Sequence, residues 1–137
     1  MTTAIDTSVL LDILVDDRQF APASDAALSR ARAEGRLIVS ECVIAELRPA
    51  LNSGKDLLSF LNDLGIEFVP SSLESATLAG SVYVQYLKNR GPSRRVLPDF
   101  LIAAHARCFA DRLLARDRGY YREYFEGLEV YEPTDQT

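Results

Sequence analysis

Four acidic residues stand at the borders of apolar segments: Asp6 in TAIDTSVLLDIL, Glu46 in VSECVIAELRPAL, Asp99 in RRVLPDFLIAAHA and Asp117 in RLLARDRGYYREYF. Brought together in space, such carboxylates repel one another unless a cation sits among them. For an all-oxygen donor set the simplest cation is a hard divalent one, Mg2+ or Mn2+ rather than Zn2+. Its usual work is phosphodiester chemistry. The ion orients and acidifies a water, neutralises the non-bridging phosphate oxygens and, where a second ion binds, stabilises the leaving oxygen. Each acid taken singly also has a plainer role open to it. Asp6 can cap the helix that follows it, and Asp99 can favour a helix dipole. Glu46 can face solvent, and Asp117 can sit in a turn. One shared site is the more economical reading of all four.

The elements that must position these acids alternate along the chain. Strand patterns are read at Thr3–Asp6, Leu37–Val39, Ile66–Val69, Arg112–Ala115 and Leu128–Tyr131. Helical patterns are read at Ser8–Leu14, Ala23–Glu34, from Ser40 to about Leu51, Lys55–Leu64, from Ser71 or Ser72 to about Asn89, from Pro98 through FLIAAHARCFA, and at Tyr120–Phe125. Ser40 is expected as an N-cap, Gly35 as a helix stop, and Pro49 as the point that kinks or shortens its helix. Strands separated by helices imply parallel β/α/β units with right-handed crossovers. The expected fold is therefore a single α/β domain over residues 1–137, a three-layer α/β/α sandwich with a central parallel sheet of about five strands. In such sheets functional residues gather at the carboxyl ends of the strands. Asp6 ends the first strand and Asp117 follows the fourth, while Asp99 opens a helix and Glu46 lies in the second turn of one, so all four can face one crevice.

Length and composition bound the possibilities. A chain of 137 residues, 47% hydrophobic, supports one core and not two. No apolar run approaches the roughly 20 residues of a membrane span, and the opening residues do not read as a secretion signal, so a cytoplasmic location is expected. Cys42 and Cys108 are read as buried free thiols, too few with one histidine for a zinc cage. The net charge of −5 opposes a nucleic-acid partner at first sight, but four acids committed to metal leave about −1 (−5 plus 4). Arg94 and Arg95 precede Asp99, and Arg116 and Arg118 flank Asp117. These arginines suit a phosphate backbone approaching a metal, or else simply answer the acids.

Together the acidic blocks resemble a known family. Asp6-Thr7-Ser8-Val9-Leu10-Leu11 after an N-terminal strand, Val43-Ile44-Ala45-Glu46-Leu47, Pro98-Asp99-Phe100-Leu101-Ile102-Ala103-Ala104-His105-Ala106 and Leu113-Leu114-Ala115-Arg116-Asp117-Arg118-Gly119-Tyr120-Tyr121 are similar, in order and spacing, to the acidic blocks of PIN-domain ribonucleases. Chain length is similar to the VapC toxins of toxin–antitoxin pairs. The resemblance implies a Mg2+-dependent endoribonuclease (Mn2+ also fits) that acts on RNA and is held inactive by a cognate antitoxin. It also implies a homodimer that joins larger toxin–antitoxin complexes. Carried over by position, Asp6, Glu46, Asp99 and Asp117 are the metal-binding and catalytic acids, and Ser8 supplies a hydroxyl that orients water or a carboxylate. One departure is Ala115, where many relatives carry Thr or Ser, which removes a supporting hydroxyl.

Other residues are read as structural. His105 is a packed or partly exposed helix residue rather than a general base, since a metal already activates the water. Tyr120, Tyr121, Tyr124 and Phe125 serve core packing or a dimer contact ahead of base stacking. Asp12, Asp16 and Asp17 are read as solvated. A phosphatase using Asp6 as nucleophile lacks a second acid two residues on, where Ser8 stands. A receiver-like domain lacks its acceptor aspartate, with Pro70-Ser71-Ser72 in its place. The remaining alternative is a PIN-like module that binds RNA or protein without cutting.

Overall fold

The computed structural model describes residues 1–90, 96–116 and 119–134. Strand β1 (Thr2–Ile5) leads into α1 (Thr7–Leu14) and α2 (Ala21–Glu34). Strand β2 (Arg36–Val39) follows, then α3 (Glu41–Leu47), a 3-10 turn (Arg48–Ala50) and α4 (Gly54–Asp63). After β3 (Ile66–Phe68) come α5 (Leu73–Arg90) and α6 (Leu97–Phe109). The chain ends with β4 (Arg112–Leu114), α7 (Tyr120–Tyr124) and β5 (Val130–Tyr131). Pro49 acts as expected: α3 stops at Leu47 and the next turn tightens, because proline cannot donate the backbone bond an α-helix needs.

All four strand pairings are parallel, in the order β3-β2-β1-β4-β5. Helices cover the sheet, giving the three-layer α/β/α sandwich. Ala4 sits opposite Ile38 on one side and Leu113 on the other, so β1 is the central strand, buried from Thr3 to Ile5. The chain builds outward from β1 to β3, then returns across it to build β4 and β5. The strand order therefore reverses between β1 and β4, which makes the carboxyl edge of that pair the place where an open α/β sheet forms its crevice.

Ile5, Leu10, Ile38, Val43, Leu47, Phe100, Ile102, Leu113 and Leu114 are buried side by side in the core. Helix α6 buries Phe100, Ile102, Ala103, Ala104, His105 and Ala106, as its nearly uniform apolar sequence predicts, and packs on α5, β1 and β4. Gly35 ends α2 at φ 156°, and a Cβ there would stand 1.8 Å from the carbonyl oxygen of Met1. Only glycine lets α2 turn into β2 beside the start of β1.

Two local expectations need correction. Ser40 occupies the N-cap position of α3 with extended backbone, yet its hydroxyl makes no capping bond and is buried without a partner among the described residues. The cysteines are both free, but only Cys42 is half-buried. Cys108 is exposed on the outer side of α6, because a helix buried over most of its surface still keeps one face toward water.

Candidate active site

Asp6 lies one residue past β1, where its backbone N–H still donates to the Leu114 carbonyl of β4 at 2.9 Å. It is therefore fixed at the reversal point by the ladder itself. Its side chain is only 6% exposed and caps α1, accepting the Ser8 N–H on Oδ2 at 3.1 Å. The Ser8 hydroxyl donates to the same oxygen. Capping and site membership, which the sequence left as alternatives, coincide in one residue.

Glu46 reaches the same place from the last turn of α3. It accepts the Thr7 hydroxyl at 2.6 Å, a bond that ties α3 to the first turn of α1. Asp99 enters from the first turn of α6, just after Pro98, which occupies the helix start where a missing donor costs nothing. A cleft of about 230 Å³ is lined by Asp6, Thr7, Ser8, Glu46, Asp99, Arg116 and Tyr121. Asp117, Arg118, Arg94 and Arg95 lie outside the described residues. Three of the four acids thus share one cleft.

Their combined field is visible in two neighbours. Burial, then the charges of Glu46, Glu41, Asp99 and Asp6, push the Cys42 thiol up to about 12. Burial, then Asp6 and Asp99, the hydrogen bond to Asp6, and Glu46 push the Tyr121 phenol far above its ordinary range. Both groups stay protonated, so neither offers an anionic ligand.

Tyr121 was read from the sequence as packing material, and the structure gives it a different place. Its hydroxyl donates to Asp6 Oδ1 at 2.9 Å, and the residue is 4% exposed. The other aromatics keep the expected role. Tyr120, Tyr124 and Phe125 pack around Phe100, with ring centroids 5.7–6.3 Å away. No local signal separates it from them: Tyr121 and Phe125 are four residues apart, the same spacing as Tyr120 and Tyr124.

Arg116 also differs from its expectation. Its Nη2 donates to Asp12 at 2.8 Å, and its guanidinium lies over the Phe20 ring, 4.0 Å from the centroid. The residue lines the cleft, but its charge is already balanced. Asp12, expected in solvent, is 4% exposed and accepts the Ser24 hydroxyl at 2.8 Å as well. It does lie on a different face of α1 from Asp6, but that face packs against α2 rather than water. His105 is fully packed; its Nε2 lies 2.7 Å from the Val69 carbonyl, so that nitrogen carries the proton. Ala115 is wholly buried.

Among the described residues, the oxygen donors lining the cleft are three carboxylates and the hydroxyls of Thr7, Ser8, Tyr120 and Tyr121, with no thiolate and no imidazole. Hard oxygen donors of this kind fit Mg2+ or Mn2+. Among the described residues no group of three or more His, Cys, Asp or Glu forms a ready cage. Mg2+ does not require one, since it keeps several waters and takes one or two carboxylates.

The PIN domain family model matches residues 3–126, and the chain belongs to that family. Solved structures with the same fold include VapBC2 from Rickettsia felis bound to a DNA fragment from its promoter. That pair shares 16% identity over 96% of this chain and 98% of the other, with a TM-score of 0.70. DNA-bound VapBC from Salmonella typhimurium shares 13% identity over 98% and 99%, with a TM-score of 0.71. FitAcB from Neisseria gonorrhoeae shares 23% over 96% and 97%, with a TM-score of 0.66. No curated protein matches by sequence.

Proposed function

We propose that this chain is a divalent-metal-dependent endoribonuclease, the toxin of a toxin–antitoxin pair, silenced by a cognate antitoxin. The observation that carries the proposal is the convergence of Asp6, Glu46 and Asp99 on one cleft at the strand reversal of a PIN domain. Asp6 and Asp99 are the direct ligands in this reading, and Glu46 and Asp117 act partly through water. A bound Mg2+ or Mn2+ supplies water activation and neutralisation of phosphate charge. The protein's own contribution is orientation. Ser8 and Tyr121 hold both oxygens of Asp6, and Thr7 holds Glu46. Leu11, Pro98 and Tyr120 complete the walls of the cleft. Arg118, Arg94 and Arg95 are assigned to the RNA backbone, while Arg116, which lines the cleft, is committed to Asp12.

An antitoxin partner is supported by structural neighbours that are VapBC and FitAB complexes. A homodimer within a larger toxin–antitoxin assembly, and a cytoplasmic location, complete the reading. Among the described residues no helix is long and apolar enough to cross a membrane.

A second reading, a PIN-like module that binds without cutting, draws support from Ala115 and from the lack of a ready cage among the described residues. Labelled structured RNAs incubated with the purified chain separate the two. The nuclease reading expects cleavage in Mg2+ that stops in EDTA. Cleavage persisting in EDTA contradicts the metal role, and binding without cleavage across many RNAs supports the module.

A further inference from the structure

We infer that Tyr121 is a positioning residue for the metal site: its buried hydroxyl fixes the orientation of the Asp6 carboxylate. The inference rests on the metal-dependent reading above and adds a residue to it. Asp6 is held from both ends. Its Oδ2 takes the Ser8 N–H at 3.1 Å and the Ser8 hydroxyl, while Oδ1 takes the Tyr121 hydroxyl at 2.9 Å. Ser8 alone would leave the carboxylate free to swing about its Cβ–Cγ bond, a soft sp3–sp2 torsion. A second donor on the opposite oxygen removes that freedom and still leaves a lone pair on Oδ1 for a ligand.

The donor is itself immobile. Tyr121 is 4% exposed, and α7 is pinned through Tyr120, Tyr124 and Phe125 against Phe100. Phe100 follows Asp99 directly in α6, so the cluster that seats α7 is continuous with the helix that carries a second acid. Through Tyr121 the positions of Asp6 and Asp99 are referred to one another across the cleft. Hydrogen-bonded supports of ligating carboxylates typically cost about 10- to 100-fold in metal affinity or activity when removed.

Tyr121→Phe deletes the hydroxyl and keeps the ring. Tyr124→Phe is the control, because the Tyr124 hydroxyl is buried without a hydrogen-bond partner among the described residues. Mn2+ binding to the full chain, read by calorimetry, and thermal unfolding, read by circular dichroism, are compared across wild type and both variants. The expected result is an affinity about 10- to 100-fold weaker in Tyr121→Phe alone. RNA cleavage should fall in parallel at limiting Mg2+ and recover in part at excess. Equal Mn2+ affinity in Tyr121→Phe and wild type overturns the inference, and so does an equal loss in both variants. Wild-type protein that binds no Mn2+ removes the metal reading itself, and the inference with it.

Discussion

Asp12 and Arg116 carry opposite charges into one corner beside the cleft, where Asp12 also accepts the Ser24 hydroxyl. The pair spans 104 residues of sequence. Nothing local marks Asp12 as different from Asp16 and Asp17, which is why the sequence places all three in water. Asp6 is legible by contrast, because a carboxylate directly after a buried strand is already unusual without its partners. Tyr121 is as hidden as Asp12: no local spacing separates it from the other aromatics, and its partner Asp6 stands 115 residues away. Breaking a buried pair leaves an uncompensated charge, at a cost of about 3–5 kcal/mol. Arg116 keeps 32% of its side chain exposed, so Asp12→Ala is expected near the low end of that range. Urea unfolding measures it, and a change below about 1 kcal/mol, as for an exposed pair, contradicts the assignment.

At the scale of elements, α6 does more than fill space. It presents Asp99 at its start, Phe100 to the aromatic cluster and His105 to the carbonyl of Val69 just past β3. Helix and strand types were readable because hydrophobic period and Gly/Pro punctuation agree along most of the chain. Caps were less so. Ser40 has the right type and position, yet burial of its hydroxyl by tertiary packing overrides the capping bond. His105 gives α6 a pH response. Burial lowers its pKa, against the opposing pull of the Val69 bond and of Glu41. With the folded value below the unfolded one of about 6.5, the unfolded chain takes up more protons as pH falls. Stability is then complete above about pH 6.5 and declines below it. The urea midpoint is expected to drop between pH 7.5 and pH 5.5, and to drop less in His105→Gln. An equal drop in both proteins assigns the effect elsewhere.

Across the whole molecule, function depends on a reversal in strand order that no single segment encodes. β1 must pair with both β2 and β4 before Asp6 can meet Glu46 from α3 and Asp99 from α6. The sequence predicted this edge from the alternation of elements, although the strand order itself was beyond its reach, since nonlocal pairing follows from packing and not from local pattern. In the proposed mechanism the three acids act as one unit, and residues that do so lose activity non-additively. Single-turnover RNA cleavage in Mg2+ by Asp6→Asn, Asp99→Asn and the double variant tests this most directly, with circular dichroism confirming the fold of each. Each single substitution should cost more than the about 100-fold ceiling of a supporting residue, and the double variant should be no worse than the weaker single. Near-wild-type cleavage by either single variant, or losses that multiply in the double, would contradict a shared metal site.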